Sequence, residues 1–307
     1  MKNLPLLLCC LSGLLVSCAG LGVSAEESYS LGMAYYELGR YEEAEKWLNR
    51  AKSRDRTKSA SEYNLGRIAF ERGRFGEAAE LFENILKKDP YNVMALKAAA
   101  YSRIKTGDLE KAEALYSRVL DLVPQDADEG YNYALVLYAL GKYEKAEEVL
   151  GGRRFALVEN GDSLLLYARS QAAQHKIEAI DSFDKWLKTN SDPKVSFEYA
   201  GLLEKLEHYA RAIDQYRQII NVLPPENEDP KIQDVRFAAA RLLLTADSEN
   251  PEGLEELNAA RAAGFSGAAA LEELLADERV NTAGREAIRK ILGELSSDKA
   301  ADEPESE

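Results

Sequence analysis

The sequence predicts an all-α solenoid of antiparallel helix pairs, and three observations carry that prediction. Glycines recur at Gly39, Gly73, Gly107 and Gly141, 34 residues apart, and each is followed five residues later by an alanine: Ala44, Ala78, Ala112 and Ala146. A second small residue precedes each glycine by seven places, at Gly32, Gly66, Ala100 and Ala134, and that series continues at Ala168 and Ala200. Between these markers the apolar residues fall at helical spacing. Ala78, Leu81, Phe82, Ile85 and Leu86 share one face, while Glu77, Glu80, Glu83, Lys87 and Lys88 take the other. Small residues at fixed helical places let two helices approach closely. A pair this short cannot bury its own apolar face, so successive pairs must stack.

The elements follow in chain order. After Lys2 comes the apolar run "LPLLLCCLSGLLVSC", too short to span a membrane comfortably and typical of a secretory signal. Its end, Leu15-Val16-Ser17-Cys18, resembles the bacterial lipobox. That resemblance implies cleavage after residue 17, a diacylated Cys18 and a short lipidated tether over 18–24. All three cysteines, Cys9, Cys10 and Cys18, lie in this segment, so no disulfide framework and no cysteine metal site is expected. Ala19 stands where an aspartate would resemble an inner-membrane retention signal, which favours the outer membrane, facing the periplasm.

Six repeat units then occupy 25–58, 59–92, 93–126, 127–160, 161–192 and 193–226. In the first four, the recurring glycine fits the left-handed residue that ends the first helix, and Pro90, Pro124 and Pro224 fit the stop after the second helix of the second, third and sixth. The fifth unit departs. Its alanines, Ala168 and Ala179, are 11 apart, and His175 stands where glycine is expected, which predicts a turn one residue short. The junction before it, Leu150 to Ser163, carries Gly151 and Gly152, which should fray or bend a helix. A hinge and a rigid irregular turn are equally consistent with it. Residues 227–296 hold a degenerate seventh pair, near 231–263, and two short helices over 268–296 that cover the last apolar face. Residues 297–307, polar and acidic, predict a disordered tail.

The 34-residue unit, with a small residue early, an aromatic, a central alanine and a late proline, resembles the tetratricopeptide repeat. That resemblance implies a right-handed superhelical solenoid whose concave face, lined by the second, fifth, ninth, twelfth and thirteenth residues of each unit, receives a protein partner. Carried onto this sequence, those places are Tyr29, Met33, Tyr36 and Glu37, then Tyr63, Arg67, Phe70 and Glu71. The third and fourth units give Met94, Lys97, Tyr101, Ile104 and Lys105, then Tyr131, Leu135 and Tyr138. Leu165 and Arg169 follow from the fifth, and Lys194, Phe197, Glu204 and Lys205 from the sixth. The implied groove is aromatic along its first four units, and tyrosines supply large, stiff contact area plus a hydroxyl. The family's carboxylate clamp is not reproduced: Lys97 stands at a clamp-like place, but Tyr101 replaces the asparagine.

The charge narrows the partners. The chain carries 39 basic and 53 acidic side chains, a formal charge of −14. Removal of the signal deletes Lys2 and takes it to −15. Such a surface is a poor match for nucleic acid or anionic lipid. Catalytic constellations are not expected. Gly161-Asp162-Ser163-Leu164 spells the nucleophile block of a hydrolase family, but the strand before it and the later Asp-x-x-His are missing. The two histidines, His175 and His208, form no zinc-binding pair. No cofactor is implied beyond the covalent lipid on Cys18.

The sequence therefore predicts a lipid-anchored envelope lipoprotein that holds another protein in an aromatic groove, serving an envelope assembly, a transporter or a cell-wall machine. The alternative is a carrier that encloses a small apolar ligand in the solenoid and delivers it to a transporter. Self-association through the groove or the C-terminal helices is a third reading, compatible with both.

Overall fold

The computed structural model of the chain describes residues 23–152 and 161–302. Cys18, the expected signal and most of the tether lie outside the described residues, as do 153–160 of the junction and 303–307 of the expected tail. The chain divides into two compact units within that junction, residues 1–156 and 157–307.

The first unit stacks four helix pairs: α1 (Ala25–Glu37) with α2 (Tyr41–Ala51), α3 (Asp55–Glu71) with α4 (Phe75–Leu86), α5 (Val93–Lys105) with α6 (Leu109–Leu122), and α7 (Ala127–Ala139) with α8 (Tyr143–Gly151). In the second, α9 (Gly161–Ala173) pairs with α10 (Glu178–Leu187), α11 (Pro193–Lys205) with α12 (Tyr209–Val222), and α13 (Ile232–Ala246) with α14 (Glu252–Ala262). Two more helices, α15 (Ala268–Ala276) and α16 (Thr282–Asp302), close it. Among the described residues there is no strand, and no helix is long and apolar enough to cross a membrane.

The repeat glycines do what their spacing implies. Gly39, Gly73, Gly107 and Gly141 all take left-handed backbone, with φ of 70, 73, 78 and 72°. At Gly73 the N–H donates to the Phe70 carbonyl at 2.9 Å and the next N–H, of Arg74, reaches back to Ala69 at 2.8 Å, which satisfies the last carbonyls of α3. His175 (φ 56°) and Glu207 (φ 61°) take the same place without glycine's freedom, at a cost on the order of 1 kcal/mol each.

The fifth unit corrects the expectation of a shortened turn. The turn is intact, with His175 N–H donating to Ala172 at 3.0 Å and Lys176 N–H to Gln171 at 3.1 Å. The missing residue comes out of the start of α10 instead. There Ala179 bonds Lys176 at 3.3 Å and Ile180 bonds Ile177 at 3.1 Å, so the first turn is wound three residues to the turn.

Packing within each pair follows one rule. The small residue of the first helix lies opposite a large one 16 positions later: Gly32 faces Leu48 and Gly66 faces Phe82. Ala100 and Tyr116 share one buried cluster, and Ala200 and Tyr216 share another. In the fifth unit, one residue short, the counterpart of Ala168 in the same cluster is Phe183, 15 later. The start of α16 closes over the seventh pair, since a Cβ on Gly284 would lie 3.3 Å from Leu244 of α13, and Ile288, Ile291 and Leu295 enter that pair's core.

The expected tail begins later than its composition suggests. Helix α16 continues to Asp302, through residues assigned to the tail. Three contacts hold its polar end: Ser296 and Ser297 hydroxyls donate to the carbonyls four residues back, at 2.9 and 3.0 Å, and Arg261 of α14 pairs with Asp298 at 2.6 Å.

Candidate functional site

The projected groove residues lie on the first helices of the pairs, and the structure sorts them into three groups. Tyr29, Tyr36 and Arg67 are tied into one network between α1 and α3. Asn64 Nδ2 donates to the Tyr29 hydroxyl at 3.1 Å, Arg67 Nη2 donates to the Tyr36 hydroxyl at 2.9 Å, and the same guanidinium sits 4.6 Å over the Tyr36 ring. Both rings also pack against the core of the first two pairs. These side chains present a preorganised, partly spent surface: their hydrogen bonds already serve the stacking of one pair on the next.

The second group is packed or paired. Tyr63 lies against Phe82, ring centroids 5.3 Å apart, and belongs to the periphery of the core. Lys97 binds Asp126 at 2.5 Å and Glu129 at 3.2 Å. Burial pulls the Lys97 ammonium towards neutrality, but the hydrogen bonds to those two carboxylates outweigh it and hold its pKa above the ordinary value. Asp126 is held below its own ordinary value, first by the hydrogen bond from Lys97. In the second unit Arg169 grips Glu198 with two nitrogens, at 3.0 and 2.8 Å. Lys97 and Arg169, two of the cations that the sequence scatters along the groove, are thus neutralised where they stand.

The third group is exposed. Tyr101 of α5 is 44% accessible and Leu135 of α7 is 39% accessible; they occupy the same place in successive repeats, 34 residues apart, each on the first helix of its pair. Met94, at the start of α5, is 60% accessible. Phe70 of α3 supports Tyr101 from one side, ring centroids 5.3 Å apart and planes inclined by 30°, and is itself buttressed by Phe75 at 5.0 Å. Lys105 reaches over the Tyr101 ring at 5.3 Å. Tyr131 and Tyr138 are half-buried on α7, Tyr138 lying 5.1 Å from Tyr143 of α8. Three exposed apolar side chains on the first helices of two successive repeats, with Tyr101 backed by ordered aromatics, form a surface that a partner's apolar side chains can cover with little loss of rotamer freedom.

Phe197 stands apart from these, in the second unit. It lies 5.8 Å from Tyr216 and, with Glu204 and Lys205, lines a cavity of about 410 Å³ between α11 and α13.

Sequence reasoning missed the carboxylates that neutralise the groove, although the sequence carries a signal for them. Opposite charges recur 29 residues apart, at Lys97 and Asp126, Arg169 and Glu198, Glu45 and Arg74, and Glu113 and Lys142, and every one of these is an ion pair. That spacing is one repeat less five residues, which places the two side chains on neighbouring helices of the stack.

The Gly161-Asp162-Ser163-Leu164 stretch forms the first turn of α9. Among the described residues no cluster of three or more His, Cys, Asp or Glu side chains is placed to hold a metal.

Models of the tetratricopeptide repeat match three overlapping or adjacent stretches, residues 25–58, 63–127 and 103–154. No curated protein matches the chain at the level of sequence. Among solved structures, a tetratricopeptide repeat protein from Parabacteroides merdae ATCC 43184 is similar over 90% of this chain and 100% of its own, at 19% identity and a TM-score of 0.52, which shows a shared fold. MamA from Desulfovibrio magneticus RS-1 aligns over 55% of this chain and 96% of its own, at 19% identity and a TM-score of 0.48. YrrB, described as a TPR protein with an unusual peptide-binding site, aligns over 61% and 93%, at 18% identity and a TM-score of 0.49.

Proposed function

Because this chain belongs to the tetratricopeptide repeat family, we propose that it is a recognition scaffold that binds a protein or peptide partner through the exposed face of α5 and α7. The single observation that carries this reading is the trio Tyr101, Leu135 and Met94. Apolar side chains of this size are exposed on the first helices of successive repeats, where burial against a partner contributes and solvation does not. Phe70 and Lys105 hold the Tyr101 ring in place, so little conformational freedom is lost when a partner docks.

The second part of the proposal is the tether. The run "LPLLLCCLSGLLVSC" and Cys18 support a lipid anchor in a bacterial envelope membrane, most simply the outer membrane with the repeats in the periplasm. Several acyl chains, at about 0.8 kcal/mol per buried methylene, would hold the protein durably. Five residues separate Cys18 from the first-helix cap at Ser24, whose hydroxyl accepts from the Glu27 N–H at 3.1 Å while the Glu27 carboxylate accepts from the Ser24 N–H at 2.8 Å. The first helix therefore starts close to the anchor, and a bound partner is retained near the bilayer.

The test uses the partner once captured. Tyr101→Ser with Leu135→Ser should weaken its binding by about tenfold or more while leaving helicity unchanged. Unchanged affinity in the double variant would overturn the reading. Cys18→Ser should release the protein from membranes; retention there would refute the anchor alone.

A further inference from the structure

The cavity in the second unit has a feature that the recognition surface on α5 and α7 lacks. Its lining comes from α11 (Phe197, Gly201, Glu204, Lys205), α12 (Tyr209, Tyr216) and α13 (Ala238, Arg241, Leu242, Thr245, Ala246), with Arg279 from the segment between α15 and α16. Gly201 makes the space. It holds the ninth place of its unit, where the first unit of the chain carries Met33, Arg67, Tyr101 and Leu135, and a Cβ added to it would meet no atom within 4 Å. Gly32 and Gly66 are required by close approach of Leu48 and Phe82; Gly201 is required by nothing in the packing. A glycine inside a helix weakens it relative to alanine, so this one keeps a volume open at the expense of stability.

Part of the lining is apolar and aromatic, with Phe197, Tyr209 and Leu242. The charged part of the lining is mainly cationic, with Lys205, Arg241 and Arg279, in a chain whose formal charge is −14. Glu204 is the one acidic lining residue, and it is engaged already by Arg241 and by the hydroxyl of Tyr216. Arg279 spends Nε and Nη2 on Asp277, at 3.0 and 2.7 Å, which leaves Nη1. Lys205 is exposed and has no ion pair among the described residues. Counting Arg241 against Glu204 and Arg279 against Asp277, the lining keeps one uncompensated positive charge, that of Lys205. A cavity of about 410 Å³ falls within the range of small-molecule sites.

We propose that this cavity binds a small monocarboxylic acid with an aromatic or aliphatic body. The body lies on Phe197, Tyr209 and Leu242 in the space left by Gly201, and the carboxylate pairs with Lys205 and the remaining guanidinium nitrogen of Arg279. A single uncompensated cation beside a partly buried carboxylate, Glu204, selects a monoanion and disfavours a dianion. The site is distinct from Tyr101 and Leu135, so it stands or falls separately from the recognition surface.

The test is a titration of the full chain with phenylpropionate and octanoate, each against its neutral alcohol, by calorimetry or ligand-observed NMR. Saturable one-to-one binding is expected for at least one acid, with the alcohol weaker by about tenfold. Lys205→Met should weaken the acid by a similar factor and leave the alcohol unchanged. Gly201→Leu, which fills the space with a good helix former, should abolish binding while the unfolding midpoint stays level or rises. Absence of saturable binding by either acid, equal binding of acid and alcohol, or undiminished binding in Gly201→Leu would each overturn the proposal.

Discussion

Gly66 and Gly201 lie on first helices of their pairs, yet adding one methyl to each should move stability in opposite directions. At Gly66 the new Cβ would sit 2.7 Å from Phe82 Cε1 and 2.8 Å from Cζ, well inside van der Waals contact. The ring has little room to retreat, since Phe82 is 2% accessible and Tyr63 lies against it at a centroid distance of 5.3 Å. Overpacking of this kind costs about 1–3 kcal/mol. Alanine's better helix propensity returns about 1 kcal/mol. The net expectation for Gly66→Ala is a loss of about 1–2 kcal/mol, because the overlap exceeds the propensity gain. At Gly201 nothing lies within 4 Å, so Gly201→Ala should show the propensity gain alone, up to about 1 kcal/mol. Urea unfolding followed by far-ultraviolet circular dichroism gives both numbers, provided the slope with denaturant is unchanged. A raised midpoint for Gly66→Ala, or a lowered one for Gly201→Ala, would refute the packing argument.

Two further predictions concern charge. Lys97→Met leaves Asp126 and Glu129 without their cation. The Asp126 carboxyl is held low chiefly by Lys97, so the stability it contributes is present above its unfolded pKa and lost as pH falls through the folded value. The variant should therefore lose up to about 1 kcal/mol at pH 7, and the loss should shrink as pH falls below the ordinary aspartate range; a loss that stays constant as the acid limit is approached would contradict the ion-pair account. Asp277 is held at about 2 by the side-chain and backbone hydrogen bonds from Arg279. Asp277→Asn should cost about 1–2 kcal/mol at neutral pH, the linkage value discounted for a quarter-exposed group. Wild type and variant should converge as pH falls from about 4 towards 2, and failure to converge would show that the loop is held by something other than this carboxylate.

Much of the fold was legible because the constraints that make a solenoid are local and periodic. A left-handed residue must end each first helix, and glycine marks it at Gly39, Gly73, Gly107 and Gly141. His175 and Glu207 adopt the same backbone with no compositional sign, so only the register of the repeat points to them. The helical end of α16 was illegible from composition, since Ser297 and Asp298 read as solvent-loving tail; Ser297 bonds back to its own helix, and Asp298 is paired from outside it by Arg261, far away in sequence. The candidate site was legible as a face and much less so as individual roles. Position within the repeat put Tyr63 and Tyr101 in one class, but Tyr63 leans on Phe82 and Tyr101 stands open, because the neighbouring helix differs in what it offers each ring. Lys97 and Arg169 look like free cations until the carboxylates one repeat less five residues away are seen opposite them.

The central claim, that the open face of α5 and α7 recognises a protein, is tested most directly by placing a photo-crosslinking residue at Tyr101, at Leu135 and, as a control, at the exposed Glu144 of α8 in intact cells. The account predicts the same discrete protein adduct from Tyr101 and Leu135, none from Glu144, and loss of the Leu135 adduct when Tyr101 is replaced by serine. Adducts of equal pattern from all three positions, or none from Tyr101 and Leu135, would contradict it.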